Sequence, residues 1–210
     1  MRNRPVIAMT QQVQVVPARN EVRDCLDAAW TEFLDACGFD LIPVPTRVAN
    51  CEAFLERVGA DGIVLSGGGG FFSLEPENAS PEREALEARM IAFALRKNIP
   101  LLGVCRGMQA LVLHFGGELA RVPGHVGVMH SVSVLSGLPG HERVNSFHDF
   151  GIPVRMLPDS LTPLALADDG TVEAVASRQG RCLGIMWHPE RCAPFAARDI
   201  ELFENFFCRG

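Results

Sequence analysis

The stretch Pro100-Leu101-Leu102-Gly103-Val104-Cys105-Arg106-Gly107-Met108-Gln109 constrains the fold more than any other part of the chain. Its first half is apolar throughout, the pattern of a strand covered on both faces of a sheet. It passes without a linker into a helical run that reaches about Phe115. A buried strand feeding a helix is the repeating unit of a parallel α/β sheet. Glycines two residues either side of Cys105 let the chain turn so tightly that the middle side chain is lifted out of the fold. There Cys105 meets the positive potential at the amino end of the following helix, which favours thiolate over thiol. A cysteine without that setting reads as a buried core residue; the glycine-flanked turn reverses the reading here.

The rest of the chain repeats the alternation. Strands are predicted at Val6 to Met9, Leu41 to Val44, Gly62 to Leu65, Pro100 to Val104 and Cys182 to Trp187. Helices are predicted from about Glu21 to Cys37, where Val22, Leu26, Ala29, Trp30, Phe33 and Leu34 recur at helical spacing, and from Glu52 to Val58. A third starts at Ser80-Pro81, a capping side chain before the residue best tolerated at the first helical position, and stops near Asn98. A closing helix runs from Ala193 to Phe207. Between Glu118 and Ala176 short alternating pieces are punctuated by Pro139-Gly140 and Asp168-Asp169-Gly170, which predicts antiparallel strands at one sheet edge. With 210 residues, 48% of them hydrophobic, the chain is expected to make one α/β domain over residues 1–210, with a mostly parallel central sheet.

Composition narrows the function. A formal net charge of -6 with 19 Lys plus Arg leaves no basic stripe for nucleic acid. The seven cysteines, at 25, 37, 51, 105, 182, 192 and 208, form no C-x-x-C pair and no alternation with histidines, so no metal is expected. Met1-Arg2-Asn3-Arg4-Pro5 leads directly into a strand without a secretory signal, and no apolar run has the length of a membrane span. The expectation is a cytoplasmic protein with reduced thiols.

A thiolate nucleophile needs a base or imidazolium beside it and a third group to orient the ring. Trp187-His188-Pro189-Glu190 offers both. His188 lies past the last apolar strand, at the carboxyl edge where ligand-binding loops of parallel sheets collect. Glu190, two residues on, is close enough to fix the tautomer. Alone, the two read as a loop histidine and a solvated acid; with Cys105 they read as a triad. Ser66-Gly67-Gly68-Gly69-Gly70 is a loop, and it lacks the Gly-Lys-Ser or Gly-Lys-Thr of a phosphate loop.

G-V-C-R-G-M-Q followed some eighty residues later by W-H-P-E resembles the class I glutamine amidotransferase-like superfamily. With L-S-G-G, P-E-R-E and V-N-S-F-H the chain is similar to the γ-glutamyl hydrolase branch. Glu21 to Trp30 and Ile185-Met186 look like the small bacterial hydrolases that release cytidine diphosphoramidate from a γ-glutamyl precursor. The resemblance implies a flavodoxin-like three-layer α/β/α fold, with Cys105, His188 and Glu190 cleaving a γ-glutamyl amide through a thioester and with no cofactor. It implies an oxyanion hole from the backbone N–H groups of Arg106 and Gly68, with Gly67 alongside. It also implies contacts to the glutamyl group from Gln109 and from the Ser146-Phe147-His148 segment after Asn145. Arg83 and Glu84 match a family pattern that fits an ion pair as well as substrate contact.

One departure leaves the leaving group open. Where hydrolases of γ-glutamyl amines often continue the loop with two histidines and a glutamine, this chain has His148-Asp149-Phe150. Asp149 would suit a cationic amine, such as γ-aminobutyrate or a polyamine; Arg19, Arg121, His125 and Arg143 would suit a nucleotide phosphate. The alternatives are a glutaminase subunit that delivers ammonia to a synthase partner, and a related fold serving as chaperone or ligand sensor. The expected partner is a small molecule, with no nucleic acid and no membrane; a homodimer is compatible with the sequence.

Overall fold

The computed structural model describes residues 4–138, 140–178 and 181–208. Its elements in chain order are β1 (Val6–Met9), β2 (Gln12–Val16), β3 (Glu21–Cys25), α1 (Ala29–Ala36), β4 (Asp40–Pro43), α2 (Cys51–Val58), β5 (Gly62–Leu65), α3 (Pro81–Lys97), β6 (Leu101–Val104), α4 (Arg106–His114), β7 (Ala120–Arg121), β8 (Val126–Val134), β9 (Arg143–Phe147), β10 (Phe150–Gly151), β11 (Leu161–Ala167), β12 (Val172–Ser177), β13 (Cys182–Ile185) and α5 (Ala197–Cys208). Among the described residues nine strands form one sheet in the order β4-β1-β5-β6-β13-β12-β11-β8-β9. The run from β4 to β13 is parallel and the run from β13 to β9 antiparallel. The predicted edge strands therefore continue the parallel sheet outward from β13.

Strand alternation divides the core between two faces. Ile7, Met9, Val64, Leu102, Val104, Leu183 and Ile185 point to one side, where Trp30, Phe33 and Leu34 of α1 and Phe203 and Phe207 of α5 cover them. Ala8, Ile63, Leu65 and Leu101 point to the other, beneath Leu55 of α2, Leu86, Met90 and Phe93 of α3 and Leu111 of α4. Each fully buried side chain of this kind contributes roughly 1.5–3 kcal/mol. The result is a three-layer α/β/α fold in which β6 is central and buried along its whole length.

Two predicted elements differ from the structure. Glu21–Cys25 is a strand paired antiparallel with Gln12–Val16, and the helix begins at Ala29. Val22 and Leu26 fit the helical spacing by coincidence. Pro17 and the left-handed Asn20 (φ 50°) close a tight turn, after which Val13, Val15 and Val22 suit a pleated ribbon. The closing helix starts at Ala197, because Pro194 and Phe195 belong to the connection, where Phe195 packs edge-on against Phe33 at 5.4 Å. α3 begins as its cap foretells, with Ser80 Oγ accepting from the Arg83 N–H at 3.2 Å. Of the predicted turn at Pro139-Gly140, Pro139 lies outside the described residues.

Candidate active site

The site begins at the β6–α4 junction. Cys105 has φ 51° and ψ −107°, a region that side chains other than glycine rarely occupy. Its N–H donates to the Ile185 carbonyl at 2.7 Å and its carbonyl accepts from the Gln109 N–H at 3.0 Å, so the bend is pinned to the sheet on one side and the helix on the other. A Cβ at Gly107 would overlap the Leu65 carbonyl, and one at Gly103 would overlap Gly107. Both glycines are therefore required by the close approach of α4 to the sheet.

β13 ends beside β6 and delivers His188 to the same edge. Its Nδ1 lies 2.7 Å from Glu190 Oε1, with both side chains buried. A Cβ at Gly67 would lie 2.6 Å from His188 Cε1, 3.4 Å from its Nε2 and 3.4 Å from Cys105 Cβ, so this glycine leaves the room in which ring and thiol meet. Burial alone would lower the His188 pKa, but hydrogen bonds and charge from Cys105 and Glu190 outweigh it and raise it to about 9. Asn145 fixes the His188 peptide from both sides, accepting from its N–H at 2.7 Å and donating to its carbonyl at 2.8 Å.

The glycine loop is held from beneath. Arg83 donates to the carbonyls of Ser66 and Gly68, both at 2.6 Å, and of Gly67 at 3.3 Å. With its carbonyls bound on that side and Gly68 at φ 78°, the loop lines the pocket with backbone. Arg83 in turn pairs with Glu87 at 2.8 Å, and Glu87 also pairs with Arg106; all three are buried. The two guanidinium groups hold the Glu87 carboxyl below the usual range even though burial opposes it. Arg106 stacks on Phe71, its guanidinium carbon 4.2 Å from the ring centre. Thr10 Oγ1 closes the network, donating to Glu87 and accepting from the Ser66 N–H. Arg83 is thus engaged in an ion pair, while Glu84 accepts from the Phe72 N–H at 2.8 Å.

Cys105, His188, Arg106, Gln109, Phe147, His148 and Gly68 all line one pocket of about 150 Å³. Gln109 donates from Nε2 to the Phe150 carbonyl at 2.7 Å. Phe147 meets the His188 ring edge-on at 5.8 Å, and the Arg191 guanidinium carbon lies 4.7 Å from the Phe147 ring centre. The Ser146 hydroxyl is turned into the fold, donating to the His125 carbonyl at 2.6 Å. Asp149 also borders the pocket, as do Glu75 and Phe150, on whose ring Arg121 stacks at 4.8 Å. His125 is buried against Glu173 and Asp169 and is not a free phosphate ligand. Sequence reading missed Glu87 and Asn145's grip on His188. Glu87 was detectable, since Arg83 and Glu87 continue the buried stripe of Met90 and Ala94 with opposite charges one turn apart.

The family model for glutamine amidotransferase class-I matches residues 28–209. The chain belongs to the class I glutamine amidotransferase family. Among its relatives, a gamma-glutamyl-CDP-amidate hydrolase of Campylobacter jejuni is 31% identical over 204 residues, 96% of each chain. A glutamine-hydrolyzing GMP synthase subunit of Natronomonas pharaonis is 30% identical, covering 80% of this chain and 86% of that one. In fold, the chain is similar to the crystal structure of a glutamine amidotransferase from Thermotoga maritima, with TM-score 0.68 and 19% identity over 97% of this chain and 84% of that one. Among the described residues no helix is long and apolar enough to cross a membrane.

Proposed function

We propose that this chain is a single-domain γ-glutamyl amide hydrolase in which Cys105 is the nucleophile, His188 the acid and base, and Glu190 the group that orients the ring. The observation that carries the reading is the His188 ring, held at Nδ1 by Glu190 at 2.7 Å while its Nε2 and the Cys105 Cβ both lie 3.4 Å from the place a Gly67 side chain would fill. With a pKa raised to about 9, His188 is an imidazolium at neutral pH, and its charge together with the amino end of α4 favours attack by the sulfur as thiolate.

The sulfur attacks the γ-carbonyl carbon, forming the C–S bond and moving the carbonyl π electrons onto oxygen. Backbone N–H groups of Arg106 and Gly68 receive that oxyanion, and the Arg83 clasp keeps the Gly68 peptide in place. Collapse expels the leaving nitrogen, which takes the His188 proton. Neutral His188 then removes a proton from water, hydroxide attacks the thioester carbon, and glutamate departs as the thiolate and imidazolium are restored. Every proton required is held by this pair, and the steps call for no cofactor. Gln109, Phe147 and His148 border the space we assign to the glutamyl group, and Ser146 braces that segment from within the fold.

The substrate we favour is γ-glutamyl-CDP-amidate, giving cytidine diphosphoramidate, supported by a similarity to the Campylobacter jejuni hydrolase that runs over 96% of both chains. A second reading, a glutaminase subunit feeding ammonia to a synthase, is favoured by the similarity to the glutamine-hydrolyzing GMP synthases. A reducing, cytoplasmic setting suits seven unpaired cysteines. Glutamate release from γ-glutamyl-CDP-amidate, γ-glutamyl-γ-aminobutyrate, a γ-glutamyl polyamine and glutamine separates the readings. Rapid turnover of the nucleotide substrate by the isolated protein supports the first. Turnover of glutamine alone, and only with a partner present, supports the second.

A further inference from the structure

Beside the pocket lies a second cluster that the proposed chemistry does not use. His125 precedes β8, His148 follows β9 and Glu173 sits in β12, and all three are buried. His125 Nδ1 and His148 Nε2 each stand 3.5 Å from Glu173 Oε1, and His130 Nε2 stands 3.4 Å from Glu173 Oε2. None of these five atoms has a hydrogen-bond partner. Buried polar atoms are nearly always paired, so five orphans facing one another require an explanation.

The outer nitrogens supply it. His125 Nε2 lies 2.9 Å from Asp169 Oδ2, and His148 Nδ1 lies 3.0 Å from the Phe150 carbonyl. Both partners are acceptors, so each outer nitrogen carries a hydrogen and the inner nitrogen of each ring is left to face Glu173. The two inner nitrogens converge on one carboxylate oxygen, an arrangement that positive charge at their centre, a bound cation or protons on the rings, makes favourable. The inward contacts exceed the roughly 2.7–3.2 Å of a good hydrogen bond. They sit close to the edge of about 3.3–3.4 Å that a tetrahedral ion with bonds of about 2.0–2.1 Å imposes on its ligands. A carboxylate and a backbone carbonyl behind the two rings are the outer partners that metal-ligating histidines usually have.

We infer that His125, His148 and Glu173 form a binding site for one divalent cation of the zinc class, with His130 or water completing the coordination. The three ligand atoms already lie within 4.8 Å of one another, so an ion draws them together by about an ångström. Two or three imidazoles with one carboxylate suit zinc and exclude the all-oxygen shells of calcium and magnesium. His130, the least buried of the four with a side chain 17% exposed, marks the route of entry. Because His148 also lines the pocket, the ion would fix one wall of it by tying β9 and the turn that follows to β12.

The test is independent of turnover. The full chain is stripped with a chelator, exposed to zinc or cobalt(II), desalted, and assayed for bound metal, melting temperature and visible absorption. The site predicts one tightly held ion per chain, a higher melting temperature with zinc, and a tetrahedral cobalt spectrum without a thiolate charge-transfer band. Glu173→Gln and His148→Ala lose the ion, whereas Cys105→Ala keeps it. Less than stoichiometric metal on folded protein, a thiolate band, or unchanged binding in folded Glu173→Gln overturns the inference, leaving trapped protons as the charge in the cluster. If the variants fail to fold, the cobalt spectrum and stoichiometry of the unaltered chain decide.

Discussion

Asn145 holds His188 by its backbone, its side-chain amide accepting from the His188 N–H at 2.7 Å and donating to the His188 carbonyl at 2.8 Å. The Nδ1–Glu190 contact fixes how the ring is turned; the Asn145 pair fixes where it is carried. Removing it leaves two buried backbone groups without partners, at a cost of roughly 2–4 kcal/mol. Asn145→Ala is expected to lower the melting temperature. Because the ring is then free to shift relative to Cys105, kcat should fall about 10- to 100-fold with KM changed far less. An unchanged kcat in a folded variant would make Asn145 a purely structural residue.

Glu87 carries the glycine loop at one remove, since it neutralises both Arg83, which binds the loop carbonyls, and Arg106. A buried ion pair is weak evidence of stability in itself, but deleting one member leaves charge uncompensated and costs about 3–5 kcal/mol. Here one carboxylate serves two guanidinium groups. Glu87→Gln is therefore expected to destabilise the protein by at least that much in urea unfolding, although the volume is conserved. Loss of only a few tenths would mean that the arginines find other compensation.

These two residues mark the limit of what was legible from the letters. The β6–α4 turn and the His188–Glu190 pair were readable because each is local, a strand-to-helix junction and a two-residue spacing. The apolar runs that became β1, β5 and β6 were readable because burial on both faces leaves an unbroken signature. Glu21–Cys25 was not, since its pairing with Gln12–Val16 depends on a turn at Pro17–Arg19 that hydrophobic spacing does not record. Contacts such as Asn145 with His188, 43 residues apart, or Glu173 with three histidines from β8, β9 and their flanks, exist only once the antiparallel half of the sheet is in register.

Cys105 occupies its φ of 51° because the hydrogen bonds to Ile185 and from Gln109 leave the backbone no alternative. A side chain there costs on the order of 1–3 kcal/mol relative to a relaxed backbone, and glycine escapes the cost. Cys105→Ala and Cys105→Gly should both abolish turnover. The glycine variant should nonetheless be the more stable of the two by about 1 kcal/mol in chemical denaturation, the reverse of the usual order of alanine over glycine. Alanine proving the more stable would show that the bend is unstrained.

His188 sets the expected pH dependence. Its pKa in the folded protein, raised to about 9, exceeds the ordinary 6.5. The protonated ring therefore contributes stability in full below pH 6.5, and that contribution is lost as the pH rises through 9. The rate has the same alkaline limit, because the leaving nitrogen needs the His188 proton: kcat/KM should decline with an apparent pKa near 9. Glu190→Gln removes one of the groups that raise the value, so the alkaline limb should move to lower pH while the Cys105 contribution keeps it from collapsing entirely. The same variant should flatten the dependence of melting temperature on pH between 6.5 and 9. A limb that stays in place after the substitution would assign the titration to a group other than His188.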